Sequence, residues 1–382
     1  MNSEPFGRTS EDPVSVIRTA TPWEQGSEFH LVECPPKVER IDSPWDRDGL
    51  FFGSGSDALR AILMSGMISR GWKRLRVPSY FCPTVVHALI RTGISVCPYK
   101  SWYPGDEEGK RELEVSDGDV VLIVNHFGLE PEIHIEAENG GTVLIIEDHT
   151  HDPWSSWAYN SRADYCIASL RKTLPIPDGG VLWSPTNQAL PGTPLLTEEH
   201  RRAAGEKLRA MELKDSFLRG QVSDKSEFRA LSASGEKNLC GSEVSAILGW
   251  TAAHLGGFPM MEWRKTRKRN FEAFAEVFSS EPRAKLLFPS SSIDCVPFSC
   301  VILFDSAERR DFVRFRLIEA NIYPAILWPL ERPAISDGFQ ESIAASRRML
   351  SVHCDMRYTV ADMRRVADAM ARLSTLDAAP EV

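Results

Sequence analysis

The sequence predicts an α/β fold, a largely parallel sheet covered by helices on both faces, with a second, smaller α+β unit at its C-terminal end. Short apolar runs recur through the first half of the chain and are separated by helical or polar segments, as buried strands of such a sheet require. The chain has 382 residues, too many for one minimal core and enough for two. Hydrophobic residues make up 42% and charged residues 25%, the balance of a globular protein.

In chain order, residues 1–48 are rich in Pro, Ser, Glu and Asp and show little periodicity, which predicts an N-terminal arm laid over the surface or onto a partner. Apolar residues at helical spacing (Ala58, Leu59, Ile62, Leu63) predict a helix over 57–69. "RLRVP" then reads as a strand and "TVVHALIRTG" as a helix closed by Gly93. The runs "ISVCPY", "DVVLIVNHFG", "TVLIIED", "ADYCIAS" and "GGVLWS" supply further strands. Residues 196–237 are charged and helical and read as an insertion into a large domain spanning 49–258. "EVSAILGWTAAHL" and "MMEWRKTRKRNFEAFAEVF" read as two helices, the second bridging to a small domain over 259–382. That domain takes "FSCVILF" as a strand, 307–320 as a helix, "IYPAILW" as an edge strand and 360–373 as a closing helix.

The formal charge of −9 argues against a general nucleic-acid or membrane-surface binder. No basic start followed by an apolar core opens the chain and no apolar run reaches membrane-spanning length, so a cytoplasmic protein is expected. Eight cysteines are scattered without a C-x-x-C pair, which favours reduced thiols over disulfides or a zinc site.

Three stretches carry chemistry, in the order "GSGSDAL", "IIEDHTHD" and "SLRKTLPIPDGG". Gly53, Gly55 and Ala58 fit the G-x-G-x-x-A spacing of a dinucleotide turn, but only a three-residue apolar run precedes them. An ordinary helix start with Ser56 as its cap is the plainer alternative. Asp148 ends an apolar run, where open α/β sheets place ligands. Lys172 follows another such run; desolvated there, its amine becomes a nucleophile toward aldehydes. A phosphate cradle, a strand-end acid and a strand-end amine together meet the needs of pyridoxal phosphate. His149, His151 and Asp152 offer a competing reading as metal ligands, although no further ligand can be named and no metal is expected.

The same stretches resemble fold-type-I pyridoxal-phosphate enzymes, most closely the DegT/DnrJ/EryC1/StrS aminotransferases, from about Phe51 to the C-terminus. The resemblance implies a large domain with a mainly parallel seven-stranded sheet, a smaller C-terminal α+β domain, and a homodimer with shared active sites. It implies that Gly55, Ser56 and Ser169 contact the phosphate, Asp148 the pyridine nitrogen and His151 the phenolic oxygen, while Lys172 carries the Schiff base. "VPSYFCPTVVHALIRTG" resembles the family's Pro-x-aromatic segment, but the ring-stacking position holds Cys82, with Tyr80 and Phe81 before it. His149 is a second stacking or capping candidate, and "NHFG" after its strand offers Asn125 or His126 to substrate, the histidine otherwise being a satisfied residue near the sheet. "GEKNLCGSEVSAILGW" resembles the segment that reaches the neighbouring subunit's phosphate, nominating Asn238. The implied reaction moves an amino group from an amino-acid donor to a keto-sugar or secondary-metabolite keto intermediate in a biosynthetic route. Another pyridoxal-phosphate reaction (elimination, decarboxylation or carbon–carbon bond formation) or a non-catalytic ligand binder on the same fold are the alternatives. Arg201, Arg202, Lys207 and Arg209 are basic enough for a diphosphate, or are a solvated helix face.

Overall fold

The structure is a computed structural model that describes residues 23–26, 28–33, 42–100, 110–130, 132–137, 143–278, 282–288, 295–330, 335 and 339–376; most of the expected arm lies outside them. Seven strands make the principal sheet: β1 (Leu50–Phe52), β2 (Arg74–Pro78), β3 (Ser95–Tyr99), β4 (Asp119–Val124), β5 (Leu144–Asp148), β6 (Tyr165–Ser169) and β7 (Gly180–Trp183). Their spatial order is β1-β7-β6-β5-β4-β2-β3, with β7 antiparallel to both neighbours and every other pairing parallel.

Continuous apolar runs form these strands because both faces are covered. On β4, Val120, Leu122 and Val124 point to the side packed by Ala58, Leu59, Ile62 and Leu63 of the helix Gly55–Arg70. Val121 and Ile123 point to the other side, against Tyr99 and Trp157. Each fully buried Val, Leu or Ile contributes roughly 1.5–3 kcal/mol, so the five positions after Asp119 on this strand are all apolar. The same alternation on β5 sends Ile146 and Asp148 to the first face and Glu147 to the second.

A second sheet, Ala284–Leu286, Ser299–Phe304 and Met349–His353, is antiparallel with Ser299–Phe304 at its centre. Its core is shared with two helices: Phe271, Phe274 and Phe278 of Met260–Phe278, and Met363, Val366 and Met370 of Val360–Thr375. The long helix expected to bridge domains packs its C-terminal half against this sheet, while Met260 and Trp263 at its start pack with Trp154 and Phe258 against the first. Of the arm, Gln25–Gly26 pairs in parallel with Ile322–Tyr323, and a buried Lys214–Glu24 ion pair at 2.6 Å fastens it to the helix Glu198–Leu218.

Two expectations fail locally. The helix read over "EVSAILGWTAAHL" begins only at Gly249. Upstream, the backbone is committed elsewhere: Gly53 N–H donates to the Ser245 carbonyl, Ala246 N–H to Leu195, and Leu248 N–H to the Asp178 carboxylate. Helical hydrogen bonds lose to these tertiary partners. "IYPAILW" is a strand only at Ile322–Tyr323, with an isolated antiparallel bridge from Ala325 to Ser351; Leu327 and Trp328 continue as irregular chain.

Candidate active site

The carboxyl ends of the parallel strands open into a cleft of about 830 Å³. The sheet edge supplies its floor, the helix Ser226–Asn238 one wall, and Phe298, Leu327 and Trp328, from chain beside the second sheet, another. The pair Glu198–Leu218 and Ser226–Asn238, read from sequence as an insertion, therefore places Phe228, Ser232 and Glu236 in the cleft.

Gly55 opens its helix at the cleft edge. Ser54, not Ser56, is the cap: its Oγ accepts from Asp57 N–H at 3.0 Å. Gly55 and Ser56 thus bring to the cleft wall two N–H groups that a helix cannot satisfy internally. The turn is pressed against its neighbours. A Cβ on Gly55 would lie 2.8 Å from Ser169 Cβ, and one on Gly180 would lie 2.2 Å from the Ser54 carbonyl carbon and oxygen. The "DGG" sequence has two separate causes, since Gly179 needs a φ of +121° and Gly180 has no room for a side chain.

Asp148 is buried at the end of β5 and lines the cleft. Thr150 fixes it in place: the Thr150 N–H donates to Asp148 Oδ1 at 2.9 Å, and Thr150 Oγ1 accepts from Ser169 N–H at 2.9 Å. Burial pushes the Asp148 carboxyl up from its ordinary range, more than these hydrogen bonds pull it down. Such a carboxylate is short of a cation. His151 also lines the cleft, stacked on Phe298 (centroids 4.5 Å) and Phe127 (5.6 Å). Its Nδ1 accepts from Phe127 N–H at 2.8 Å, which puts the proton of the neutral ring on Nε2. Burial, then the nearby His126 and Lys172 charges, lowers its pKa to about 3, so the ring stays neutral and donates through Nε2.

His149 does not face the cleft. One residue further along the alternation from Asp148, it turns to the opposite face, where Nε2 meets Glu147 Oε2 at 2.9 Å and the ring packs edge-on to Trp157. Asp152 pairs with Arg264 at 2.9 Å and anchors the helix Met260–Phe278. The three residues of the metal reading are therefore dispersed to three separate tasks. Phe81 and Cys82 line the cleft, whereas Tyr80 is buried behind it and donates its hydroxyl to the Leu327 carbonyl. Asn125 is buried outside the walls, and Asn238, half-buried, ends its helix outside them.

Ser169 precedes and Lys172 ends a tight 3-10 turn, Leu170–Lys172, immediately after β6. The Lys172 side chain is 41% exposed, and its ammonium lines the cleft 3.5 Å from Glu236 Oε1. Removal of water by the cleft walls, then the Arg171 charge, pushes its proton affinity below that of an ordinary lysine. Glu236 binds Arg171 at 2.8 Å through each oxygen and Lys207 at 2.7 Å, and Lys207 also meets Glu28 at 3.3 Å. Of the other basic residues on that helix, Arg201 and Arg209 pair with Glu198 and Glu212 on the exposed face. Thr150, Glu236, Phe298 and Trp328 were not legible in the sequence; only Thr150, inside "EDHTHD", sat beside a signal that pointed to it.

No protein-family model and no curated protein matches the chain. Solved structures do resemble it. DesI, solved in the presence of its TDP-sugar product, gives a TM-score of 0.56 at 16% identity over 86% of this chain and 81% of that one. DesV of S. venezuelae, in complex with a ketimine intermediate, gives 0.53 at 17% identity over 86% and 85%. Spr1654 of Streptococcus pneumoniae, assigned as a sugar aminotransferase and solved in its PLP form, gives 0.56 at 14% identity over 85% and 86%. The chain has the fold of these structures, the fold-type-I architecture that the resemblance implied. No helix among the described residues is long and apolar enough to cross a membrane.

Proposed function

We propose that the protein is a pyridoxal-phosphate-dependent aminotransferase that moves an amino group from an amino-acid donor to a keto-sugar or secondary-metabolite keto intermediate. It works in this reading as a cytoplasmic homodimer with shared sites, Asn238 reaching the partner's phosphate. One observation carries the proposal: Gly55 and Ser56, Asp148, and Lys172, distant in sequence, line one cleft. The aminotransferase structures that share the fold support it.

The residues present fit the cofactor. Two N–H groups of a helix start and the Ser169 hydroxyl suit a phosphate. A desolvated acid at Asp148 suits a protonated ring nitrogen, because each relieves the other's burial. When bound, pyridoxal phosphate supplies a ring that accepts electrons from the carbon bearing the transferred nitrogen. The protein's own part follows from its geometry. Asp148 holds a proton at the ring nitrogen, and Thr150 keeps that carboxylate aimed. His151 donates from Nε2 to the phenolic oxygen, with its ring clamped by Phe298 and by Trp328. Lys172, with lowered proton affinity, is the cleft amine suited to take a proton from the donor α-carbon and return it.

The test is the visible spectrum of the protein mixed with pyridoxal phosphate, followed by borohydride reduction and mass analysis of the Lys172 peptide. A new band, a reduced adduct on Lys172 and loss of the band on adding glutamate or glutamine are expected. Absence of the band overturns the cofactor assignment. A band that no donor discharges favours another pyridoxal-phosphate reaction or a non-catalytic binder.

A further inference from the structure

Lys172 stands in a five-charge cluster assembled from four separate pieces of chain. Its own turn contributes Arg171, the helix Ser226–Asn238 contributes Glu236, the helix Glu198–Leu218 contributes Lys207, and the N-terminal segment contributes Glu28. Glu236 is the hub. Its two oxygens receive the Arg171 guanidinium at 2.8 Å each and the Lys207 ammonium at 2.7 Å, while Lys172 waits at 3.5 Å. The two close partners are well shielded from solvent, with 14% and 6% of their side chains exposed, and they take the ideal positions around the carboxylate. The Lys172 contact lies at the outer limit of a hydrogen bond, so its nitrogen is held in the cleft but weakly engaged.

We propose that Glu236 is a positioning residue for Lys172. Its carboxylate ties down Arg171 and Lys207, which would otherwise repel the Lys172 ammonium, and keeps that nitrogen in the cleft through a contact loose enough to give up when the amine bonds to an aldehyde. The inference rests on the aldehyde-binding reading of Lys172 and names the residue that prepares the amine for it. Other titratable groups line the same cleft: Asp148 and His151 from the floor, and Arg229 and Lys237 from the helix that carries Glu236. His151 is neutral, and the ion pair that the Lys172 nitrogen makes is with Glu236 at 3.5 Å, so the cluster built on that carboxylate is the one in contact with it.

The experiment needs no cofactor. The protein is labelled briefly with formaldehyde and cyanoborohydride from pH 6 to 11. Each amine condenses with formaldehyde, with loss of water, to an imine, and hydride from cyanoborohydride with a proton from solvent reduces it to the N-methyl amine. Methylation of the Lys172 peptide is read by mass spectrometry against exposed Lys285 in the same sample. In Glu236→Gln, loss of one negative charge and release of two positive ones should lower the Lys172 labelling midpoint by about one pH unit or more. In Arg171→Gln, loss of a neighbouring positive charge should raise it. A merely structural role would move both variants the same way or neither. An unchanged or raised midpoint in Glu236→Gln overturns the proposal. If that variant does not fold, a lowered or unchanged midpoint in Arg171→Gln overturns it equally and a raised one supports it. Failure of the aldehyde-cofactor reading shows separately, as no visible band with pyridoxal phosphate.

Discussion

Gly180→Ala tests the phosphate turn from behind. The new Cβ would sit 2.2 Å from the Ser54 carbonyl carbon and oxygen and 2.5 Å from Gly55 N, all of them backbone atoms with no rotamer to escape into. To reach ordinary contact near 3.4 Å, the Ser54–Gly55 turn must retreat by about 1.2 Å. A donor set at hydrogen-bonding distance from a phosphate is out of range after such a shift. One lost charge-assisted hydrogen bond, about 1.5–3 kcal/mol, corresponds to a roughly 10- to 100-fold weaker affinity for pyridoxal phosphate. Overpacking should also lower folding stability by about 1–3 kcal/mol. Absorbance titration with the cofactor and urea melts of the cofactor-free protein read the two effects separately. Gly205→Ala is the control of opposite sign: an exposed helical position with nothing within 4 Å of the new methyl, it should gain up to about 1 kcal/mol. Unchanged cofactor affinity and an unchanged melt in Gly180→Ala would refute the close-packed turn.

Three further outcomes follow from the site and its supports. Asp148→Asn should slow the donor half-reaction of the cofactor-loaded protein by about 10²- to 10⁴-fold in stopped-flow absorbance while leaving the melting midpoint level or higher, since a buried charge is removed. His151→Phe keeps a ring against Phe298 but deprives the Phe127 N–H of its acceptor, so urea melts should show a loss of about 1–3 kcal/mol, with His151→Gln losing less. Asp355 and Arg357 form a buried pair at 2.7 Å and 2.8 Å; burial pushes the Asp355 carboxyl up, but the guanidinium outweighs it and holds the group well below the usual range. A carboxyl depressed on folding stabilises above its unfolded pKa of about 3.9 and loses that contribution as the pH falls below it. The penalty of Asp355→Asn should therefore be large at pH 7, about 3–5 kcal/mol, and shrink toward pH 3 in denaturant melts at the two pH values.

The chain's own order determined the sheet and three parts of the cleft. Short, β-branched apolar runs such as "DVVLIV" read as strands buried on both faces, and the residues that follow a parallel strand emerge at its carboxyl edge, which places Asp148 and Lys172 by local rules alone. The same rules, applied one residue further, separate His149 from the cleft: the period of two that turns Asp148 inward turns its neighbour to the opposite face. Local rules start the helix at Asp57, two residues after the observed Gly55, because the choice of Ser54 over Ser56 as cap depends on backbone angles that both serines are chemically able to adopt. What only the tertiary structure decided is who stands opposite. Glu236, Phe298 and Trp328 reach the cleft from elements tens to more than a hundred residues away, and nothing in their immediate sequence distinguishes them from surface or core positions. The truncated helix before Gly249 has the same cause. Periodicity encodes which face of an element is apolar, whereas a hydrogen bond to a distant carboxylate such as Asp178 exists only once packing has brought the two together.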